Sequence, residues 1–487
     1  MPDAPDADRS VTVADREQHA TDPARELALD CVVAGIEAAH PTAVVADALS
    51  LDRDRLTASD VNGGTTTRDL DRYDRAVVVG AGNAAGHFAA ALEEVLGDRI
   101  DGGAVVTDDP VETERITVLP GDHPTPSEAG VESARRVRTL AADAGESDLV
   151  IGLITGGGSA LLAAPAPGID LDDLRETTEA LLASGATIAE INAVRKHLSA
   201  VKGGGLARAV APADALGLAI SDVTGDDLGV IASGPFSPDP TTFADALSVL
   251  DRYGIDAPEA VRQRLDRGDR GAVAETPKPG DAAFDGVDVR VVANARTALN
   301  AARAVAAANG YEPLVLSSRV RGEAREAAKT HAAVAEECRA VGDPIEPPAV
   351  VLSAGEVTVT LGDDHGRGGP NQEFALSAAL ELDGAGADGE GVVAASVDTD
   401  GIDGATDAAG ALVDDRLVGD DGEPGPGAPN GQELDRDAAA AALDARDAYP
   451  ALDAAGALLR TGPTGTNVND LRAVVIPTTG ARSEGTK

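Results

Sequence analysis

Apolar and polar positions along the chain follow two periods, one typical of buried strands and the other of amphipathic helices. Residues 24–40 carry apolar side chains at helical spacing, and helical patterns return at 84–97, 170–184 and 187–201 among the apolar runs that follow. These runs are short, end in glycine or polar residues, and cover 75–80, 103–107, 148–155 and 215–223. Because strands that alternate with helices form βαβ units, the pattern predicts a parallel sheet.

A stretch rich in Pro, Gly and Asp interrupts this pattern at 267–286. A strand pattern at 287–293 and a helical pattern at 295–309 then begin it again, and further strand patterns follow at 349–361 and 392–401. We therefore expect a domain boundary at the interruption.

The predicted fold class is α/β, with a Rossmann-like N-terminal domain on a parallel sheet and a smaller C-terminal α/β domain. The predicted organisation is a disordered acidic tail at 1–23, an N-terminal domain at 24–268, a linker at 269–286 and a C-terminal domain at 287–482. Within the last of these, 419–432 has the composition of a low-complexity loop.

The chain is strongly acidic, with 83 Asp and Glu against 40 Lys and Arg and a formal net charge of −43 over 487 residues. Such a charge repels nucleic acid and anionic membranes, so neither is an expected partner. Salt near 1 M shortens the Debye length to about 3 Å and screens the self-repulsion. The low lysine content also favours a halophilic protein, and an acidic protein at ordinary ionic strength is the alternative.

Two distant cysteines indicate a reducing compartment rather than a disulfide framework. The N-terminus lacks the basic start and apolar core of a signal peptide, and no stretch of 18 apolar residues occurs. We therefore expect a cytoplasmic protein.

A first glycine-rich loop, GAGNAAG at 80–86, lies between a predicted strand and a predicted helix. Gly80, Gly82 and the small residues after them fit a dinucleotide fingerprint, in which the backbone approaches a phosphate. Similar loops often make only a tight turn, which is the alternative here.

A second loop, TGGGSALL at 155–162, joins three glycines to Ser159. Its backbone N–H groups would form a nest for a carboxylate or phosphate, and a flexible turn is the alternative. Leu161 stands where a nucleophile elbow needs glycine, so a hydrolase triad is disfavoured.

Cations are concentrated in NAVRKHLSAVKGGGLA, which holds Arg195, Lys196, His197 and Lys202 within eight residues. Two of the five lysines of the chain stand here, which predicts an anion site, with polyphosphate as the natural anion. A solvated helix face is the alternative.

Carboxylates follow the strand pattern at 215–223, where SDVTGDD offers Asp222, Asp226 and Asp227. Grouped carboxylates at a strand end suit Mg²⁺ binding or general-base work on a hydroxyl. An acid-rich surface is the alternative.

Polar candidates recur in predicted loops of the second half, and each is alternatively a capping or turn residue. They are Arg367, Asn371, Gln372, Glu373, Asp400, Asp403, Asp407, Thr464, Asn467 and Asp470. Together they predict one face built from several loops. The chain has neither a Walker A motif nor the protein-kinase signature, so a kinase built on it is of another type.

Eight segments together resemble the glycerate 2-kinase family, also called the MOFRL family after its C-terminal domain, whose members are often named hydroxypyruvate reductases. The segments are GDHPTPSEAG, TGGGSALL, INAVRKHLSAVKGGGLA, SDVTGDDLGVIASGPFSPD, SAGEVTVTL, GRGGPNQE, SVDTDGIDGATDAAG and TGPTGTNVNDL, which span about 80–471. With the acidic composition, the resemblance is to a haloarchaeal type.

The resemblance implies phosphorylation of D-glycerate to 2-phosphoglycerate by ATP with Mg²⁺, in a cleft between two α/β domains. D-glycerate and ATP are the expected small-molecule partners, and a homodimer is the candidate assembly.

If the chain acts as the family resemblance implies, the candidate site residues have four roles. The catalytic candidates are Asp222, Lys196 and Lys202. The substrate-binding candidates are Gly156, Gly157, Gly158, Ser159, Arg195 and Arg367. The nucleotide-binding candidates are Gly80, Gly82, Asn83, Gly203, Gly204, Asn371 and Glu373. The metal-binding candidates are Asp226 and Asp400.

Two positions depart from the family pattern. Asn83 stands where the family usually has lysine, and Pro370 stands where it usually has arginine. Both absent side chains are cations, so Lys196, Lys202, Arg195 or Arg367 would have to supply their charge.

Two other function classes stay open. A nicotinamide-dependent hydroxypyruvate reductase would use the loop at 80–86 and Asp108, which could hold a ribose. Against it, the sequence shows no Arg/His/Glu constellation of a dehydrogenase. A non-catalytic nucleotide sensor would account for the two missing cations.

Overall fold

The computed structural model of the protein describes residues 10–362, 365–382, 391–419 and 434–478. The chain divides into two compact units. Unit 1 comprises the described parts of 1–40 and 295–487, and unit 2 comprises 41–294. The loop predicted at 419–432 lies outside the described residues, apart from residue 419.

Helices and strands alternate along most of the described chain. The helices are α1 (Arg16–His19), α2 (Pro23–Ala39), α3 (Pro41–Ala48), α4 (Ala85–Leu96), α5 (Glu128–Ala142), α6 (Gly158–Leu161), α7 (Leu171–Ala183), α8 (Ile188–His197), α9 (Gly205–Val210), α10 (Phe243–Tyr253), α11 (Glu259–Asp269), α12 (Ala295–Ala308), α13 (Ala324–Val341), α14 (Pro370–Leu382), α15 (Arg436–Asp444) and α16 (Ala448–Ala454). The strands are β1 (Leu49–Asp52), β2 (Arg55–Ser59), β3 (Thr65–Asp69), β4 (Arg75–Ala81), β5 (Gly102–Thr107), β6 (Ile116–Pro120), β7 (Asp148–Ile154), β8 (Asp214–Ile220), β9 (Val287–Ala293), β10 (Glu312–Glu323), β11 (Ala349–Thr358), β12 (Val393–Asp398), β13 (Gly410–Asp414), β14 (Val418–Gly419), β15 (Leu434–Asp435), β16 (Leu458–Leu459) and β17 (Asp470–Ile476). No single helix among the described residues is long and apolar enough to cross a membrane. Helices α2 and α3, which are bent relative to each other, reach that length and apolar composition only as a pair.

Unit 2 is built on a six-stranded parallel sheet in the order β6-β5-β4-β7-β8-β9. The central strands β4, β7 and β8 are buried along almost their whole length, as their continuous apolar composition requires in a sheet covered on both faces. Because the strands are parallel, the carboxyl ends of β4, β7 and β8 lie along one edge of the sheet. We call the loops that follow these three strands the carboxyl edge.

Unit 1 is built on a mixed sheet in the order β10-β11-β17-β12-β13-β16. Strands β10 and β11 are parallel, and the other neighbours are antiparallel. Helices α13 and α14 pack together, and α2 packs on α12, β12 and β17. Both units therefore combine helices with a central sheet, which confirms the predicted α/β fold class.

The division of the chain differs from the expected linker at 269–286 and domain start at 287. Strand β9 pairs in parallel with β8, so 287–293 is the last strand of unit 2 and the division falls after Asn294. Within the expected linker, the Pro277 carbonyl accepts a hydrogen bond from the Asp239 N–H at 2.9 Å. The composition of 269–286 is typical of a linker, but Pro, Gly and Asp are also common in irregular segments that pack on a domain.

The N-terminal segment also differs from the expectation of a tail at 1–23 and a domain start at 24. Of the tail, residues 10–23 are described, and within them Val13 and His19 are buried. Asp22 caps α2 and forms an ion pair with Arg416 at 3.0 Å. This segment and α2 therefore belong to unit 1, together with the C-terminal half of the chain.

Candidate functional site

The two glycine turns predicted from the sequence contact each other at the carboxyl edge of unit 2. Gly82 has a φ of +144°, and Thr155 Oγ1 occupies the place that a Cβ there would take. The Asn83 N–H donates to the Gly156 carbonyl at 2.9 Å, and Asn83 Oδ1 fills the Cβ position of Gly157. Contact between the two turns therefore accounts for the small residues of the first turn without a bound dinucleotide. Gly80 lies within β4, paired with Leu153 of β7.

The Asp222 carboxylate lies beside the second turn. Its Oδ2 is 2.5 Å from the position that a Cβ of Gly156 would take. Burial raises the pKa of Asp222 to about 6, while hydrogen bonds from its own N–H and that of Gly157 act to lower it. A carboxyl group with this pKa is mostly ionised at neutral pH and still basic enough to accept a proton, which suits a general base.

Two cations, the buried Lys202 and the half-buried Arg195, converge on Ser159, the last residue of the same turn. Lys202 Nζ donates to the Ser159 carbonyl oxygen and, at 3.2 Å, to Ser159 Oγ. Arg195 Nη2 donates to the same carbonyl at 3.4 Å. Burial, reinforced by Arg195, lowers the pKa of Lys202 well below its usual range, and burial also lowers the pKa of Arg195.

Neither cation forms an ion pair with a carboxylate of the described residues. Cationic groups without a carboxylate partner are costly to bury unless an anion neutralises them. Arg195 and Lys202 therefore mark a place for a bound anion beside Ser159.

A chain of hydroxyl and amide groups holds Ser159 in place. Ser159 Oγ lies 2.6 Å from Ser233 Oγ, which donates to Asn192 Oδ1 at 3.2 Å. Ser233 and its neighbour Ala232 both adopt left-handed backbone conformations, with φ of 62° and 48°. Such strain in residues other than glycine is concentrated at functional sites.

The backbone nest expected at the second turn is used largely within the protein. The Gly157 N–H serves Asp222, and the Gly158 N–H donates to the Thr155 carbonyl at 3.3 Å. Side-chain cations, rather than these two amides, give this part of the carboxyl edge its positive charge.

Three other predicted residues of unit 2 have partners away from Ser159. Lys196 faces the buried carboxylate of Asp239 at 3.5 Å, so its charge is compensated. The N–H groups of Gly203 and Gly204 donate to the carbonyl oxygens of residues 233 and 234, at 2.9 and 2.7 Å. Contrary to the expectation of free phosphate-binding amides, these glycines join the strained loop to the segment that carries Lys202.

Three residues without a role in the sequence analysis contribute to this edge. Ser233 and Asn192 hold Ser159, and His123 Cδ2 lies 3.2 Å from the Cβ position of Gly157. All three stand inside segments that carry the family resemblance. Nothing in their residue type distinguishes them from ordinary loop residues, because their role depends on contacts between distant segments.

The donor set for a metal ion is sparse. Among the described residues, no group of three or more His, Cys, Asp or Glu side chains is arranged to hold one. Asp226 has a left-handed φ of 59°, and its Oδ2 accepts a hydrogen bond from Asn294 at 2.7 Å. Since Mg²⁺ in phosphoryl transfer is held by one or two carboxylates with water and substrate phosphates, a single carboxylate here fits an ion carried by a nucleotide.

In unit 1, Asn371 is the centre of a buried polar network. Its backbone N–H donates to Asp403 at 3.0 Å, its Nδ2 donates to Asp470 at 2.7 Å, and its Oδ1 accepts from Ser396 at 2.6 Å. Burial raises the pKa of Asp403 to about 7, against hydrogen bonds from the backbone of Asn371 and Gln372. The hydrogen-bonding groups of Asn371 are thus used inside unit 1.

The remaining candidates of unit 1 differ in accessibility. Glu373 is buried and forms an ion pair with Arg325 at 3.0 Å. Asp400 is half-buried, and its Oδ1 accepts a hydrogen bond from the Ile402 N–H at 2.8 Å.

Arg367 is the most exposed of them. Its guanidinium lies 3.9 Å from the centre of the Tyr449 ring, a position that favours a cation–π contact. Its head remains accessible from solvent.

Unit 2 has two uncompensated cations and a carboxylate of raised pKa at the carboxyl edge of its parallel sheet. This arrangement is typical of an enzyme that acts on an anionic substrate. Comparison with known proteins specifies the family. Residues 27–266 match the model of a domain of unknown function, DUF4147, and residues 349–470 match that of the MOFRL family.

Curated relatives cover most of the chain. A D-glycerate 2-kinase from Thermotoga maritima is 40% identical over 403 residues, 82% of this chain and 90% of that protein. A protein from Agrobacterium vitis, named as a candidate hydroxypyruvate reductase, is 47% identical over 408 residues, 82% of this chain and 87% of its own. A crystal structure of a glycerate kinase from Thermotoga maritima superimposes with a TM-score of 0.76 at 37% identity, covering 93% of this chain and 99% of that one.

The chain belongs to the MOFRL family of glycerate kinases. It is a kinase that acts on an alcohol group.

Proposed function

We propose that the protein transfers the γ-phosphoryl group of ATP to the C2 hydroxyl of D-glycerate and releases 2-phosphoglycerate and ADP. The observation that carries this proposal is the pair of uncompensated cations, Arg195 and Lys202, that donate to Ser159 of the turn beside the Asp222 carboxylate. Phosphoryl transfer requires neutralised phosphate charge and a positioned acceptor more than covalent help.

In this mechanism Lys202 supplies positive charge to the transferred phosphoryl group. Its position is fixed by Ser159, which Ser233 and Asn192 hold in turn. Charge placed before the reaction stabilises the transition state without reorganisation during it. Arg195 and Ser159 bind the carboxylate of D-glycerate on the same turn.

Asp222 orients the C2 hydroxyl and accepts its proton as the oxygen attacks phosphorus. Its pKa of about 6 leaves it ionised near neutral pH, and the Gly157 N–H holds the carboxylate in place. Lys196, Gly203 and Gly204 position the segment that carries Lys202, rather than contact phosphate.

Mg²⁺ would neutralise charge on the nucleotide phosphates when bound, with Asp226 as its proposed carboxylate ligand in unit 2. Asp400 is a separate candidate for a metal ligand within unit 1. The exposed head of Arg367 is the proposed cation of unit 1, because Pro370 stands where the family usually has arginine. We assign Asn371 and Glu373 to holding the start of α14 and its neighbours, because their polar groups are engaged within unit 1.

The test is incubation of the purified protein in high salt with D-glycerate and ATP·Mg²⁺, followed by phosphorus NMR of the products. A 2-phosphoglycerate signal with equal ADP is the expected result, and L-glycerate is the stereochemical control. A second sample receives hydroxypyruvate with NADH or NADPH. Loss of cofactor absorbance there without phosphoglycerate in the first sample would replace the kinase by the reductase.

A further inference from the structure

Unit 2 contains a cavity of about 540 Å³ whose wall carries basic side chains and, among the described residues, no Asp or Glu. The basic residues that line it are Arg138, Lys196, His197, Lys202, Arg208 and Arg264. The whole chain has about twice as many acidic as basic residues, so a wall with basic and no acidic side chains is not expected from composition alone. The hydroxyl groups of Thr139, Ser199 and Thr276 complete the polar part of the lining.

The cavity extends away from the carboxyl edge. Helix α5 follows β6, and a helix that connects parallel strands runs back toward their amino ends. Arg138 lies ten residues after the start of α5, which places it about 15 Å along the helix axis. Lys202 also lines the cavity and donates to Ser159, so this residue borders both the cavity and the Ser159 turn.

The three arginines of the wall have no close carboxylate. Arg138 forms neither a hydrogen bond nor an ion pair with the described residues. Arg264 donates to the carbonyl oxygens of His197 and Pro167, at 2.7 and 3.4 Å. Arg208 donates to a carbonyl oxygen at 2.8 Å, and the nearest carboxylate, that of Asp281, is 4.0 Å away.

We propose that this cavity is a second anion site, separate from the phosphoryl-transfer site, and that it binds a compact small molecule with two or more phosphate groups. The planar guanidinium group can donate to two phosphate oxygens at once, so three arginines without a described carboxylate closer than 4.0 Å suit phosphate better than a monovalent ion. The volume lies within the range of small-molecule sites and exceeds the needs of a single phosphate.

Occupancy of the cavity would act on the segment that carries Lys202. This consequence rests on the proposed function, whereas binding itself does not. The binding test therefore needs no turnover and keeps the two proposals separate.

The experiment is calorimetric titration of the full-length protein with inorganic pyrophosphate, without Mg²⁺, in a concentrated potassium glutamate buffer. The test variant is Arg138→Glu, and the matched control is Arg136→Glu, which makes the same charge change at an exposed residue of α5 outside the cavity wall. Because a reversed charge in the wall repels the ligand, Arg138→Glu is expected to weaken binding about tenfold. Arg136→Glu is expected to leave it within about twofold of the wild type, since residues two apart on a helix do not face the same way and an exposed charge outside the wall is screened.

Absence of pyrophosphate binding to the wild type would overturn the proposal, as would equal losses in the two variants, which would mean nonspecific attraction only. A third titration is made in the presence of a saturating non-hydrolysable ATP analogue. Retained pyrophosphate binding supports a separate site, and its complete loss would place the cavity within the nucleotide site. Circular dichroism of each variant confirms that the fold is unchanged.

Discussion

Lys202 acquires its properties from its position rather than from its residue type. In water its ammonium group would be a hydrated surface charge, but here it is buried, its pKa is lowered, and its hydrogen bonds go to Ser159. Lys196, six residues earlier, is equally buried and has Asp239 as a counter-charge. Of these two lysines, only Lys202 lacks a carboxylate partner among the described residues and can offer its charge to a ligand.

Replacement of Lys202 by methionine should therefore abolish most phosphoryl transfer. Methionine preserves the volume of the aliphatic part of the lysine side chain and removes its charge. Because that charge is needed in the transition state, kcat should fall by about 100-fold or more. Because a buried charge is removed, the melting temperature should stay the same or rise. Steady-state kinetics and thermal unfolding measure the two effects. Lys329→Met, at an exposed lysine paired with Glu326, is the matched control and should leave both unchanged. Wild-type kcat in Lys202→Met would remove this residue from the mechanism.

The pH dependence of kcat should report Asp222. Burial raises its pKa to about 6, so the ionised, proton-accepting form increases as pH rises from 5 to 7, and kcat should rise with it. In Asp222→Asn this limb should disappear and kcat should fall by about 100-fold or more. Asp285→Asn, at an exposed carboxylate, should retain the wild-type profile. A rising limb that persists near pH 6 in Asp222→Asn would assign the titration to another group.

Helix α14 begins with a cap supplied from a distant part of the chain. The two carboxylate oxygens of Asp403 accept hydrogen bonds from the N–H groups of Asn371 and Gln372, at 3.0 and 2.8 Å, where the helix leaves its first amides without partners. Helix α15 has a local cap, in which the exposed Asp435 accepts from the Ala438 N–H at 3.0 Å.

The two caps should differ in energy. Asp403→Ala leaves two buried donors without acceptors and should lower the free energy of unfolding by about 2–4 kcal/mol. Asp435→Ala lets water replace the cap and should cost only about 1 kcal/mol. Urea unfolding at pH 8, followed by circular dichroism, compares the two. Equal losses would show that water reaches the start of α14.

Much of this architecture could be predicted from local pattern. Strands β4, β5, β7 and β8 correspond to apolar runs that alternate with helical patterns, so the parallel sheet could be predicted from periodicity. The glycine turns could be predicted from the residues that end these runs. The edge strand β9 was assigned to the wrong side of the boundary, because pairing with β8 is a long-range contact that composition does not encode.

The candidate site shows the same limit. Residue type and spacing singled out Lys202, Arg195 and Asp222, and the structure brings these three to the second glycine turn. The internal use of the Gly203 and Gly204 amides depends on a loop thirty residues later, which spacing cannot predict.

Net charge governs the behaviour of the chain as a unit. At −43, carboxylate repulsion opposes the compact state, and salt that shortens the Debye length from about 10 Å at 0.1 M to about 3 Å at 1 M should relieve it. The melting temperature should therefore rise steeply with KCl in a calorimetric scan. Sucrose, which favours burial without screening charge, should raise it less. A melting temperature that does not depend on KCl would contradict adaptation to salt.

The place of α2 in unit 1 has a consequence for synthesis on the ribosome. This helix emerges before all of unit 2, yet its partners α12, β12 and β17 are translated some 260 to 450 residues later. Residues 41–294 have their complete sheet as soon as β9 has left the exit tunnel, whereas the apolar face of α2, including Leu29 and Ile36, has no native surface to cover it. The nascent chain must therefore carry α2 without its native partners until unit 2 has been translated and the strands of unit 1 follow.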